Sequence, residues 1–239
     1  LERERERLRD DVYAFEEVFR QRHLWRVAAA DGIERRVTAG PFSVLSFRIS
    51  RDGTRIVHQR APTPLFADTY RSEVWVSDPL GGNPRSLTSN SVEEFEAELS
   101  PDNTRILFLA EANGRLEPYY NSSLFIMPAD GGSPRLLVAD SPYAVDHATW
   151  SPDGRAVLAV VNMGLHSEVV RIDVATGTPH ALTDGQHSVQ FWSLSPKAGR
   201  MVFQIDEPTR LGDAWTIGVD GGSLRRVTGV YDTLERDYQ

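Results

Sequence analysis

Few residues in this 239-residue chain could act as a nucleophile, ligate a metal or grip an anion. Two serines follow paired glycines, Ser133 after Gly131 and Gly132 and Ser223 after Gly221 and Gly222. Both lack the second glycine of a Gly-x-Ser-x-Gly nucleophile elbow, so both read as turn residues. The absence of cysteine excludes disulfides, thiolate metal sites and a Cys nucleophile, without fixing the compartment. The six histidines (23, 58, 147, 166, 180 and 187) show neither His-x-x-x-His nor facial-triad spacing, so neither a metal nor a cofactor is expected. Arg60, Arg71 and Arg115 could hold a peptide carbonyl or carboxylate by bidentate hydrogen bonds, with Tyr119 and Tyr120 as neighbours. The alternative for each arginine is pairing with a loop acid. Asn121-Ser122-Ser123 matches a glycosylation sequon, a pattern too common to decide anything.

Composition narrows the classes further. The chain is 40% hydrophobic and 25% charged, enough apolar material for a core. A net charge of −8 argues against nucleic-acid binding, which needs a basic surface to displace counterions. The longest aliphatic run, Ala156 to Val161, is far short of the roughly 20 residues that cross a bilayer. Of 26 basic residues only Lys197 is a lysine, a bias that genome composition would explain.

The elements that position the candidate residues come from a repeat. The turn Ser-Arg-Asp-Gly (50–53) returns as Ser-Pro-Asp-Asn (100–103), Ser-Pro-Asp-Gly (151–154) and, decayed, Ser-Pro-Lys-Ala-Gly (195–199). A bulky apolar marker recurs at Trp25, Trp75, Phe125, Val170 and Trp215. Thirteen residues after each come Thr38, Thr88, Val138, Thr183 and Thr228. Each unit reads as four short strands with an Asp-Gly or Asp-Asn hairpin turn and a later glycine turn. Four antiparallel strands every 45 to 50 residues is the arithmetic of an all-β, β-propeller blade. About four and a half blades are expected, at 24–38 (half), 43–88, 95–138, 147–183 and 190–228, cut from a larger, seven-bladed ring. A β-sandwich would have no reason to repeat three markers in phase. The tryptophans are expected to pack between blades.

In such blades the one-to-two and three-to-four turns share one face of the disc. Here they are short and uniform. The two-to-three loops (59–72, 111–123, 162–167, 206–213) and the connections (89–94, 139–146, 184–188) are long and irregular, and variable loops on a rigid scaffold are where binding residues gather. Leu8, Val12, Phe15 and Phe19 fall at helical spacing, with Glu4–Arg7 and Glu6–Arg9 as i,i+3 pairs, so 1–23 is expected to form a charged helical insertion. It would be a gating lid or a solvated helix with one apolar stripe on the propeller. Residues 231–239 read as a linker.

The combination of Ser-Pro-Asp-Gly, aromatic strand, Asp-Gly-Gly and Leu-Thr resembles the WD40-like (PD40) repeats of TolB and of the propellers in prolyl oligopeptidase family (S9) serine peptidases. Three longer stretches resemble the acylaminoacyl-peptidase and dipeptidyl-peptidase branch: DDVYAFEEVFRQRHLW (10–25), RAPTPLF (60–66) with RSEVW (71–75), and YYNSSLF (119–125). The resemblance implies that the propeller precedes an α/β-hydrolase domain with a Ser-Asp-His triad, screens substrates by size and anchors their ends. This segment would then be non-catalytic, and peptidase activity would belong to a domain after Gln239.

Dipeptidyl peptidases of that family hold the substrate's amino group with a glutamate pair, which compensates a partly desolvated ammonium ion. Glu16-Glu17 and Glu93-Glu94 are the two pairs that could serve. The first resembles the family's local wording but lies before strand three instead of before a Ser-Pro-Asp-Gly turn. The expected partners are the hydrolase domain of the same chain and peptide substrates, with a homo-oligomer open. The alternative, from a different class, is a TolB-like propeller serving as a protein–protein interaction platform.

Overall fold

The computed structural model describes residue 7, residues 19–139 and residues 141–233. Most of the charged stretch 1–23 and the greater part of 231–239 lie outside the described residues, as do Glu16 and Glu17.

The chain folds as a run of antiparallel blades. The first is two-stranded, β1 (Trp25–Val27) with β2 (Glu34–Arg36). Four four-stranded sheets follow. The second blade is β3 (Ser43–Ile49), β4 (Ile56–Ala61), β5 (Glu73–Ser77) and β6 (Arg85–Ser86). The third is β7 (Glu94–Leu99), β8 (Arg105–Ala112), β9 (Pro118–Pro128) and β10 (Arg135–Leu136). The fourth is β11 (Ala144–Trp150), β12 (Ala156–Asn162), β13 (Ser167–Asp173) and β14 (Pro179–Ala181). The fifth is β15 (Ser188–Ser195), β16 (Arg200–Glu207), β17 (Arg210–Gly218) and β18 (Gly221–Arg226). Each sheet meanders in chain order, so the architecture is that of a propeller.

The repeated turn has a local cause. In the third blade the Ser100 hydroxyl donates to Asp102 at 2.6 Å, and Asp102 also accepts the Thr104 amide at 3.0 Å. The Ser100 oxygen accepts the Arg105 amide at 2.9 Å, and Asn103 sits at φ 59°. Ser50/Asp52/Gly53 and Ser151/Asp153/Gly154 repeat the arrangement. These donors, the Ser100 hydroxyl foremost, hold the Asp102 carboxyl down at about 2.

Cores form between blades. Along β8, Leu107 and Leu109 face the fourth blade while Ile106, Phe108 and Ala110 face the second. In β12, Val157, Ala159 and Val161 face the third blade, and Leu158 and Val160 face the fifth. Strands buried on both faces read as continuous apolar runs, which is why 156–161 looked so aliphatic. The bulky marker faces the preceding blade: Phe125 is fully buried and stacks on Phe108 with ring centroids 5.4 Å apart. Trp150 is fully buried too, whereas Trp25, on the first blade, is 56% exposed.

Arginines staple one blade to the next or, in the case of Arg51, to the next but one. Arg105 donates to the Gly154 carbonyl at 2.9 Å with its guanidinium over Trp150, 5.0 Å from the ring centroid. Arg85 donates to the Ala129 carbonyl at 2.9 Å, Arg135 to the Val174 carbonyl at 2.8 Å, and Arg51 reaches the Trp150 carbonyl at 2.9 Å. The arginine bias therefore has a structural use, since a guanidinium fork reaches several carbonyls at once. Glycine turns also abut the preceding blade: a Cβ on Gly81 (φ 85°) would lie 1.9 Å from the Val37 carbonyl oxygen.

Three local expectations differ from what forms. Residues 111–123 are no loose loop: Ala112 pairs with Pro118, so β8 and β9 make one long hairpin. Likewise Glu207 pairs with Arg210 across a tight turn in 206–213. Ser223 lies in β18 and not in a turn. In the first two cases alternating residues extend the ladder beyond the blade, which the polar composition of the segments concealed.

Candidate functional site

On the irregular face, each inner strand carries a β-bulge at an equivalent place. The register shifts fall between Val44 and Ser46, Phe95 and Glu98, Val145 and His147, and Gln190 and Ser193. A bulge re-aims side chains that alternation would otherwise bury. In the third blade it sets Glu96 at φ 52°, and in the fifth it sets Phe191 at φ 46° with 82% of its surface exposed.

Two cavities open beside these bulges. One, of about 550 Å³ between the second and third blades, is bordered by Glu93, Glu96, Arg48, Phe47 and the exposed Phe66. The other, of about 700 Å³ between the fourth and fifth, is bordered by Asp146, His147, His166, Phe191 and Trp192. Glu96 joins them: its carboxylate meets His147 Nδ1 at 2.8 Å and accepts the Ala148 amide at 3.3 Å. The His147 and Trp192 rings stack with centroids 6.3 Å apart. Beneath, Glu98 accepts from Arg48 at 2.9 Å and from the Thr149 hydroxyl at 2.7 Å, tying three blades. Burial raises the Glu98 and Asp146 carboxyls above the ordinary range.

The glutamates of 93–94 point to different surroundings. Glu93 accepts the Thr69 hydroxyl at 3.3 Å and also borders an outer cleft of about 310 Å³ with Tyr70, Tyr119 and Tyr120. Glu94 is 1% exposed. It accepts the Thr88 hydroxyl, the Asn90 amide group at 2.6 Å and the Val74 amide at 3.1 Å, so its carboxylate clasps β5 to the end of the blade. Burial pushes it up to about 7 against the pull of these donors.

The structure brings Glu93, Tyr119 and Tyr120 together; the two tyrosine rings lie 4.5 Å apart. Arg60 is elsewhere, sandwiched between Phe42 and Trp75 at 4.1 Å from each ring and donating to His58 Nε2 at 2.9 Å. Burial holds Arg60 down at about 10 and His58 at about 4. Arg71 pairs with Asp68 at 3.2 Å, the loop-acid alternative. Arg115 is exposed at the tip of the β8–β9 hairpin. Sequence reasoning missed Glu96, Asp146, His147 and Phe191. Their signal was an acid or aromatic inside a strand expected to alternate, but the positive φ that exposes Glu96 and Phe191 has no signature in a non-glycine residue.

Among the described residues no cluster of three or more His, Asp or Glu is placed to hold a metal ion, and no helix is long and apolar enough to cross a membrane. Ser133 and Ser223 belong to the β9–β10 turn and β18, away from this face.

No family model matches the chain, and no curated protein matches it. Among solved structures it is similar to TolB from Agrobacterium tumefaciens, at 20% identity and a TM-score of 0.60 over 82% of this chain and 66% of that one. It is similar to an oligogalacturonate lyase in complex with manganese, at 16% identity and a TM-score of 0.70 over 87% and 59%. It is also similar to a puromycin-hydrolysing peptidase of Mycobacterium tuberculosis, at 12% identity and a TM-score of 0.69 over 88% and 36%. The chain thus spans from about a third to two thirds of these relatives' length. The likeness is one of fold: this is a β-propeller segment whose structural neighbours include TolB and peptidases.

Proposed function

We propose that this chain is the non-catalytic propeller segment of a prolyl oligopeptidase-type serine exopeptidase of the acylaminoacyl- or dipeptidyl-peptidase branch. In this reading it gates access and anchors the peptide amino end for an α/β-hydrolase domain of the same parent. The observation that carries it is the acid-lined, aromatic-rimmed irregular face, where Glu93 and Glu96 border one cavity and Tyr119 and Tyr120 stand beside Glu93. A carboxylate-lined cavity compensates an ammonium group, and phenolic and phenyl rings cover apolar side chains of a peptide. Glu94 contributes less to this task than the pair 93–94 suggested, because its carboxylate is engaged by Thr88, Asn90 and Val74. The role of Glu16 and Glu17 belongs to the same proposal.

The test is Glu93→Gln in the parent protein, assayed on a free-amino dipeptide amide and on its N-acetyl counterpart. KM for the free-amino substrate rises about tenfold or more while the acetylated one is unaffected. Equal KM values for wild type and variant on both substrates would remove Glu93 from substrate recognition. A parent gene without a Gly-x-Ser-x-Gly elbow followed by Asp and His would sink the peptidase reading altogether. The second reading, a TolB-like interaction platform, draws on the share of the TolB chain that is covered, 66% against 36% for the peptidase.

A further inference from the structure

Four of the five blades close their outer edge with the same polar clasp. The threonine two residues past the last strand accepts an amide in or beside the preceding strand: Thr38 from Leu24 at 2.9 Å, Thr88 from Val74 at 2.8 Å, Thr183 from Val169 at 2.9 Å and Thr228 from Ala214 at 2.9 Å. A titratable side chain meets that hydroxyl each time: His23, Glu94, Glu168 and Asp213. The third blade breaks the rule. Val138 stands where the others have threonine, and Ser123 where the first, fourth and fifth have His23, Glu168 and Asp213. Among the described residues the Ser123 hydroxyl has no hydrogen-bond partner.

At that place the third and fourth blades part around a cavity of about 560 Å³. Its floor is Leu124, Val161, Val170 and Ile172, each at most 7% exposed. Its mouth is framed by Tyr119, carried on the extended β8–β9 hairpin, and Tyr143, in the connection to the fourth blade. Among the described residues, none that lines it is charged. The connection is tied back by the Asn121 side chain donating to the Pro142 carbonyl at 3.0 Å and the Ser122 hydroxyl donating to the Val145 carbonyl at 2.6 Å.

Three departures from the repeat therefore converge on one spot: the lost clasp, the 11-residue β9, which is the longest strand among the described residues, and the tyrosine-bearing connection. In a repeat protein each unit supports its neighbours in the same way, so local rule-breaking marks positions shaped for something other than stability. We infer that this cavity is a binding site for an uncharged, largely apolar small molecule. Its ring or chain lies on the Leu124–Ile172 floor, and one hydrogen-bonding group reaches Ser123. The volume is that of an ordinary small-molecule pocket, and a charged ligand would be desolvated without a counter-ion. The cavity meets the Glu93 cleft at Tyr119, but its floor and Ser123 border neither Glu93 nor Glu96.

The test is a fluorescence titration of the whole chain with N-phenyl-1-naphthylamine, a neutral two-ring probe. One probe binds per chain with saturation, and raising NaCl from about 0.05 to 0.5 M leaves the affinity unchanged because no charge pair is screened. Grafting the clasp of the fourth blade, Ser123→Glu with Val138→Thr, weakens binding about tenfold or more. Ala181→Trp, at the exposed strand β14 opposite Val170, does the same by filling the cavity from its edge and leaves the floor residues themselves unaltered. Leu80→Ser, at an exposed leucine far from the cavity, leaves binding unchanged. Non-saturable binding, binding that survives in a folded Ala181→Trp variant, or binding abolished by Leu80→Ser would overturn the assignment.

Discussion

Glu94 is a buried carboxylate whose ionisation the fold resists, and Glu94→Gln isolates that effect. With the native group at about 7 and an unfolded value of 4.5, the native state holds the proton more tightly across that interval. Stability conferred by this group is therefore fully present below pH 4.5 and is lost as pH rises through 7. A difference of about 2.5 units corresponds to about 3 kcal/mol between pH 4.5 and pH 8. Glutamine cannot ionise, so the variant lacks that loss. It still accepts the Val74 amide, and its own NH2 group faces Asn90, whose Oδ1 is already occupied by the Val92 amide at 3.0 Å. That mismatch costs about 1 kcal/mol at every pH. Urea unfolding midpoints at pH 5, 6, 7 and 8 test this. The two proteins are close to equally stable at pH 5 and the variant is the more stable by about 2 kcal/mol at pH 8, and subtracting the two curves removes Glu98 and Asp146, whose raised carboxyls act in the same direction. Parallel curves for the two proteins would show that Glu94 titrates normally and refute the reasoning.

Further expectations follow from the contacts between blades. Gly81→Ala combines a positive φ with a Cβ that would overlap the Val37 carbonyl, so it costs well over about 1 kcal/mol and loosens the first blade, seen as faster amide exchange at 25–37. Arg105→Ala removes the bond to the Gly154 carbonyl and the contact with Trp150, lowering stability by about 1–3 kcal/mol in urea unfolding, with Arg105→Lys recovering only part.

What the residues disclosed in advance was the local chemistry. The Ser-x-Asp-Gly turn is closed by bonds among neighbours in sequence, so its pattern survives repetition and identifies the blade. The two-faced burial of β8 and β12 shows in their unbroken apolar runs. The arginine staples were invisible, because their acceptors are backbone carbonyls some 40 to 100 residues away that any sequence supplies. The site was legible only in part. Glu93, Tyr119 and Tyr120 could be placed on the irregular face by counting loops. Glu96 and Phe191 owe their exposure to bulges that composition does not announce. The placement of Arg60 was not legible, because its aromatic sandwich joins Phe42, which precedes its blade, to Trp75 within it.

The staples have a direction. Arg51, Arg85, Arg105 and Arg135 each donate toward a blade nearer the C-terminus. During synthesis a blade would emerge to meet guanidinium groups already fixed on its predecessor, while its own carbonyls wait in water at little cost. Such an order of events would make assembly vectorial, each finished blade serving as template for a later one. A circular permutant in which a later blade is made before the one that staples it would leave the same bonds in the finished protein but take away that order of events.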